Sequence, residues 1–532
     1  MPPTPNNMFS EVMSMDSLMA EPEVDEATEQ LANGLKNVDI NTEAPKKYKD
    51  EELEKHKKNR RFKQSRHADK VLPPKKGTDI FIERGEHYDE HVAEQRANIC
   101  IQSQNMAAYE FDYMSVPFST TTTKALDRMN FQEPTPVQQV AVPFITHFKT
   151  SDFVIRAPMG YGKTFAFLIP IVEEVWRQKQ AIENTTKRYT TNSTDPYAVI
   201  VAPTRELATQ LFRDCKTFCE QHNGCVRVAV SVGKQLMKAT SVSISEGADI
   251  LFVTHGRLIH HFMNNQDSVI KLGYSNLKFI VLDEADTFCH GRRESDKENR
   301  LEMRAFFKNM IEDRNRKGLS SSEVQSILIG SNIDIYDYYK ISDFVRKDYI
   351  GIQVGASSLP KLSLVHKVIF VEDSLRKIDI LGDMLITMKE KTLIFSNEKL
   401  ETERVAFRLN RLGVSTIALS SNMTQAMRAA AIKKFDCGDR QVLVASDVGS
   451  LGLNYPKLEL VINLNIPECN SQVSLYNRLG RVGRFGNNGK VYHMYCPYED
   501  YKKRDVLRNI LIDQNAHVPE YLLKTAENNN HQ

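Results

Sequence analysis

Two short strings in this chain pair residue types that handle phosphate with residue types that handle a metal ion and a water. The first is Ala157-Pro158-Met159-Gly160-Tyr161-Gly162-Lys163-Thr164. Its glycines let the backbone curl until the N–H groups face a polyphosphate, and a helix starting at the end of the loop adds partial positive charge. Lys163 is then placed to reach the β and γ phosphates, and the Thr164 hydroxyl to ligate Mg²⁺. The second string is Asp283-Glu284-Ala285-Asp286. Asp283 is expected to hold Mg²⁺, directly or through water, and Glu284 to position and deprotonate a water that attacks a γ phosphate. A glycine-lysine string can arise by chance in a surface turn, and an acidic quartet is more often a solvated surface feature. The surroundings of each string decide between these alternatives.

The loop follows the apolar run 153–156 and leads into the apolar helix start Phe165-Ala166-Phe167, while the acids follow the apolar run 279–282. Carboxylates just past a buried strand lie at the C-terminal edge of a sheet, beside a phosphate loop in the same position. Similar runs at 197–201, 226–230, 250–253 and 327–329 alternate with amphipathic stretches, and a second series follows at 368–371, 392–395, 415–418, 441–444, 458–462 and 490–494. The alternation predicts an α/β protein with two parallel sheets covered on both faces. Ordered structure is expected to begin near Tyr113, and the Gly, Ser and Pro of 351–361 mark a linker. The predicted organisation is a disordered charged arm over 1–105, domains over 106–350 and 362–515, and a tail over 516–532.

The net charge of +2 over 532 residues conceals an uneven distribution. The first thirty positions hold Glu11, Asp16, Glu23, Asp25 and Glu26 without Lys or Arg, whereas 46–76 gathers Lys57, Lys58, Arg60, Arg61, Lys63 and Arg66. Such a basic, apolar-poor segment resists collapse. It is either a plain solvated arm or a salt-sensitive tether for RNA, and it is also a place for protein partners to bind. No apolar run is long enough to span a bilayer and no secretory signal is evident, so a soluble, intracellular protein is expected. Asn184 and Asn192, although in Asn-x-Thr contexts, are then loop residues. Eight cysteines without a paired framework suit a reducing compartment. Cys215, Cys219, His222 and Cys225 are close enough to consider as zinc ligands, but thiols four apart on an amphipathic helix favour core packing.

The ordered set of motifs over roughly 113–515 resembles the DEAD-box RNA helicases, whose name the acids Asp283 to Asp286 spell. The resemblance implies two tandem RecA-like domains, ATP and Mg²⁺ as ligands, and a monomeric core. Phe131, Pro134, Thr135, Pro136, Val137 and Gln138 resemble the motif that reads adenine, with Gln138 favouring ATP over GTP. Tyr113 lies about where the family stacks an aromatic on the base, with Phe111 or Phe118 as alternatives. Pro203, Thr204, Arg205, Glu206, Leu207 and Ala208, then Gly233, then Thr254, His255, Gly256 and Arg257 match segments that grip an RNA backbone. Gln425, Arg428, Ser446 and Asp447 match RNA-contacting positions of the second domain. Tyr476, Arg478, Gly480, Arg481, Gly483, Arg484 and Gly486 resemble the motif that completes the ATP site, with Arg481 and Arg484 on the γ phosphate. The phrase Arg84-Gly85-Glu86-His87-Tyr88-Asp89 adds a Vasa-type flavour, which would imply work in the cytoplasm or in RNA granules.

Four departures stand out. Gly330-Ser331-Asn332 occupies the place of Ser-Ala-Thr, Asn477 that of a histidine, Leu451-Gly452-Leu453-Asn454 that of Arg-Gly-Leu-Asp, and Met159 that of a threonine. ATP binding and some hydrolysis are expected to survive these changes. Three functions follow for comparison: an RNA-dependent ATPase that remodels RNA, an ATP-gated RNA clamp or scaffold with weak unwinding, and a DNA helicase. The last is disfavoured by Gln138 and its flanking prolines.

Overall fold

Short aliphatic runs bounded by polar residues form the strands, and in half of them every residue is buried. The computed structural model describes residues 84–103, 113–131, 133–183, 195–222, 224–233, 244–263, 271–289, 294–355, 364–420, 422–446, 455, 457–467 and 472–523. The first lobe contains β1 (Cys100–Gln102), β2 (Phe153–Arg156), β3 (Ala198–Ala202), β4 (Val228–Ser231), β5 (Ile250–Thr254), β6 (Phe279–Asp283), β7 (Gln325–Gly330) and β8 (Ile350–Gln353). The second contains β9 (Leu364–Phe370), β10 (Thr392–Phe395), β11 (Thr416–Leu419), β12 (Val442–Ala445), β13 (Leu460–Asn463) and β14 (Gly489–Tyr495).

The sheet orders are β1-β8-β2-β7-β6-β3-β5-β4 and β11-β12-β10-β13-β14-β9. All pairs are parallel except β1 with β8. Parallel pairing needs a crossover between strands, and helices supply it, so both faces of each sheet are covered. The helix Lys163–Glu183 shows how: Ala166, Phe167, Leu168 and Ile169 are wholly buried, with Ile155 of β2, in the core under one face. Because β2, β3, β5, β6 and β7 run the same way, the loops after them gather at one edge. Among the described residues no helix is long and apolar enough to cross a membrane.

Three sequence expectations need correction. Within 1–105, read as an arm, residues Tyr88–Ala97 form a helix and Cys100–Gln102 a strand. The helix buries only Tyr88, Val92 and the polar Gln95, too few apolar positions to stand out among Asp89, Glu90, Glu94 and Arg96. The linker was placed too early, because Ile350, Ile352 and Val354 are buried and Gly351 pairs within the sheet. In the tail, residues Glu520–Leu523 form a helical turn whose Leu522 is buried in the core of the second lobe. Asp447, 451–454, Asn184, Asn192, most of the arm and 356–361 lie outside the described residues.

Candidate active site and nucleic-acid cleft

The phosphate loop leaves β2 and turns at Gly160 and Gly162, whose φ values of 77° and 86° are in the left-handed region. A side chain at Gly162 would also collide with its support, since a Cβ there would lie 2.5 Å from Gln138 Nε2. Gln138 is buried at the start of the helix Pro136–His147. Its Oε1 accepts from the Thr135 N–H at 3.0 Å and its Nε2 donates to Gly162 O at 3.1 Å. The amide assigned to adenine thus also braces the loop. Phe131 packs edge-on against Phe165 with centroids 4.8 Å apart. Tyr113 packs on Phe118 at 5.6 Å, and burial pushes its hydroxyl up to about 12.

Lys163, 8% exposed, donates from Nζ to Ala157 O and Pro158 O, each at 3.2 Å, and lies 3.5 Å from Ser331 Oγ. Burial lowers its pKa, and Glu284, Asp283 and Asp286 oppose that fall. The acids follow β6 through a strained step, because Glu284 has φ 48°, a left-handed value costly for any residue with a Cβ. The conformation is locked on both sides: the Glu284 N–H donates to Asp283 Oδ1 at 3.0 Å, and Thr287 Oγ1 donates to Glu284 O at 2.8 Å. Asp283 and Asp286 are each pushed up to about 7, by burial first and then by Glu284, with Lys163 pulling back. Buried acids in this condition are matched to a cation.

Asp286 was given no role from sequence, and its burial accounts for part of the altered tripeptide. A Cβ on Gly330 would lie 2.8 Å from Asp286 Oδ1, so glycine makes room for the carboxylate. Asn332 lies against the same group and stabilises its charge. Gly330 O also accepts from the Ala157 N–H at 3.1 Å, tying the tripeptide to the phosphate loop.

Across the cleft, Arg481 and Arg484 follow the helix Gln472–Leu479. Arg481 donates from Nε to Asn477 O at 3.0 Å and places a guanidinium nitrogen 3.9 Å from Met159 Sδ. Arg484 donates to Gly480 O at 2.8 Å, and its Cγ lies 3.0 Å from where a Cβ on Gly160 would be. Burial lowers both guanidinium pKa values, Arg484 to about 9, and Glu284 opposes the fall in each. Arg478 faces inward, with hydrogen bonds to Asn397, Asn463 and Asn465.

On the other side of the cleft, Pro203, Thr204, Arg205, Gly233, Thr254, Gly256, Arg257 and Arg428 border a cavity of about 520 Å³. These eight RNA candidates come from four separated stretches of sequence. Thr204 Oγ1 caps the helix Arg205–Cys219 by accepting from the Leu207 N–H at 3.2 Å. Gly233 leaves space for Arg205, whose Nε would lie 3.1 Å from a Cβ there. Arg257 Nε lies 3.4 Å from Val232 O. Arg428 and Gln425 turn instead toward Glu206 of the first lobe, at 2.9 and 3.4 Å. Glu206 was a match to the family's motif with no assigned role, and its partner across the cleft could not be located from sequence. Ser446 is buried after β12. Away from the cleft, the thiols of Cys215 and Cys219 face each other at 3.8 Å, and His222 meets Thr122 at 3.1 Å.

The chain is 27% identical over 464 residues to the probable ATP-dependent RNA helicase DDX4 of Pelophylax lessonae, covering 85% of this chain and 59% of that protein. It therefore spans less than two thirds of that relative. It is 28% identical over 373 residues to the ATP-dependent rRNA helicase RRP3 of Yarrowia lipolytica, covering 70% of this chain and 69% of that one. Its fold matches Mss116p bound to single-stranded RNA and AMP-PNP with a TM-score of 0.63 at 21% identity, over 79% of this chain and 82% of the other. It matches Dbp5 of S. cerevisiae bound to RNA and ADP BeF3 with a TM-score of 0.59 at 18% identity, over 78% of this chain and all of the other. A DEAD/DEAH box helicase model matches residues 135–321 and a helicase conserved C-terminal domain model residues 376–486. These matches take in more than half of the sequence and both walls of the cleft, and they make the chain a member of the DEAD/DEAH box helicase family.

Proposed function

We propose that this chain is an RNA-dependent ATPase that uses closure of its two lobes on ATP and an RNA backbone to remodel RNA or RNA–protein complexes. The observation that carries the reading is the placement of Arg481, buried, and Arg484, half-buried, where both feel the charge of Glu284 opposite Lys163. In that arrangement Lys163 neutralises the β and γ phosphates, while Glu284 orients a water and takes its proton. Arg481 and Arg484 stabilise the charge that develops on the γ phosphate. Tyr113, Phe131 and Gln138 are assigned to the base side, and the backbone from Ala157 to Gly162 to the phosphates. Thr164 and Asp283 fit Mg²⁺: the Asp283 carboxylate is buried among other acids, which favours a cation beside it, and Mg²⁺ is ordinarily held by one or two protein oxygens plus substrate phosphates. When bound, the ion would supply neutralisation of phosphate charge.

RNA belongs on the opposite side, across Arg205, Arg257 and their neighbours. Contacts of this kind go to phosphates and 2′-hydroxyls, which favours RNA over DNA without sequence preference. A ligand that needs both lobes and a nucleotide that needs both lobes strengthen each other reciprocally. Phosphate release should therefore rise on adding single-stranded RNA and fall about 10²- to 10⁴-fold in Glu284→Gln, the range for loss of a general base. Equal background rates with and without RNA would reject the proposal. A clamp with little unwinding is the second reading, favoured by the altered surroundings of Asp286. Vigorous ATP-dependent displacement of a short RNA duplex would exclude it.

A further inference from the structure

The segment 84–97 contributes no strand to either sheet, yet it touches both walls of the nucleotide cleft. On the first lobe, Tyr88 and Val92 form a buried cluster with Tyr161 of the phosphate loop. His91 Nδ1 hydrogen-bonds with the Tyr161 hydroxyl. On the second lobe, the His87 N–H donates to Gly486 O at 3.0 Å. Gly486 closes the short turn Arg484–Gly486, which carries one of the two cleft arginines. Here backbone lies on backbone, because a Cβ on Gly486 would collide with the Tyr88 nitrogen and a Cβ on Gly85 with the Asn487 nitrogen. Glycine is therefore required on both strands of the contact.

The phosphate loop meets the arginine segment with large side chains as well. Met159 fills the space above Gly480, where a Cβ would collide with its sulfur. Tyr161 is 2% exposed, and its hydroxyl also meets the Gly486 backbone. One tyrosine of the loop is thus held from two directions, by the helix Tyr88–Ala97 and by the arginine turn.

We infer that residues 84–97 are a built-in clasp, in which Tyr88 and His91 are positioning residues that fasten Tyr161 to the Arg484–Gly486 turn and so set Arg484 over the phosphate loop. This rests on the ATPase reading of the cleft. The clasp touches neither the phosphates nor the RNA cavity, and it acts only by favouring the closed lobes. Contacts made only in the closed state raise the affinity of every ligand that needs that state, and saturating ligand makes them redundant.

The test uses the full chain, with Gly85→Val and Tyr88→Ala as separate variants. The ATP concentration and the single-stranded poly(U) RNA concentration for half-maximal phosphate release should each rise at least about fivefold, the low end of ordinary coupling between sites. The rate at saturation of both should stay within about twofold of wild type. A purely structural role would lower that rate or the melting temperature and leave half-saturation unmoved, which overturns the clasp. Small-angle X-ray scattering with AMP-PNP provides a readout without hydrolysis. A larger radius of gyration in both variants supports the clasp, and profiles superimposable on wild type overturn it. Should wild type show no RNA-stimulated hydrolysis, the ATPase reading fails while the scattering comparison still decides the clasp.

Discussion

On the nucleotide side of the cleft, Lys163, Asp283, Asp286 and Arg481 are each less than 9% exposed, and every pKa shift there begins with burial. On the side proposed for RNA, Arg205 and Arg257 are half-buried around an open cavity of about 520 Å³. The first arrangement concentrates a few charges in a low dielectric, where each acts strongly on the others. The second spreads weaker, hydrated contacts along a surface, as a ligand recognised by its backbone requires. Deleting one charge should therefore be catastrophic on one side and graded on the other.

The largest effect expected is that of Arg484→Ala. An arginine that stabilises phosphoryl-transfer charge is worth about 10³- to 10⁵-fold in rate. The RNA-saturated turnover number should fall by at least about 10³-fold in single-turnover phosphate release, with ATP still bound. A fall under tenfold would break the contrast between the two sides, because Arg484 would then be an ordinary surface contact.

Arg428→Ala comes next. Arg428 and Glu206 form an ion pair at 2.9 Å, both nearly enclosed, across the two lobes. Truncation leaves Glu206 uncompensated in the closed state, whereas opening rehydrates it. The loss should thus appear in closure, as about 10- to 100-fold weaker RNA binding in the presence of AMP-PNP. Glu206→Gln combined with Arg428→Ala should recover part of it, giving a coupling of about 1–3 kcal/mol in a double-mutant cycle. Additive effects would instead place Arg428 directly on the RNA.

The contrast also explains what was legible in the sequence. The phosphate loop and the acids were locatable because each abuts an apolar strand, β2 before Ala157, buried except for Arg156, and β6 before Glu284, buried throughout. The eight cavity residues were recoverable as motif letters, since each motif is local. Asp286 was not, because its burial depends on a distant Gly330 leaving room. Glu206 with Arg428 was not, because an ion pair across two lobes has no sequence spacing. The contact of 84–97 was hidden most fully: its key bond joins the His87 N–H to the Gly486 carbonyl, and backbone groups leave no side-chain signature. The bounds of the linker and tail failed for a related reason, since β8 contains a glycine and the turn Glu520–Leu523 buries one leucine.

Behind the arginine segment, the second lobe buries two histidines. His366 Nδ1 and His493 Nε2 lie 3.2 Å apart with stacked rings, and His493 continues through Asn463 to Arg478. Burial lowers His366 to about 4 and His493 well below its ordinary value. The folded lobe keeps both neutral where the unfolded chain takes up protons. Their contribution is therefore complete above about pH 6.5 and is lost as pH falls toward 4. Lowering pH from 7 to 5.5 should cost about 1 kcal/mol through His366 alone, read as the urea midpoint, and His366→Gln should flatten that slope. An unchanged slope would mean that the imidazole is hydrated and that Arg478 is braced by its asparagines alone.

The smallest effect belongs to the RNA side, where it tests the comparison directly. Arg257 is half-buried at the border of the cavity, where its Nε donates to Val232 O at 3.4 Å, and its positive charge lies on the wall proposed to meet a phosphate. Replacing it with alanine removes one counterion-releasing contact among several. Affinity for single-stranded RNA should fall about threefold at moderate salt, equally for unrelated sequences, and the slope of log K against log salt should shrink by about 0.7. Loss of binding by 10²-fold or more would mean that the RNA side depends on single charges as the nucleotide side does. A change confined to one RNA sequence would mean that Arg257 reads a base edge, which a backbone-tracking groove has no need to do.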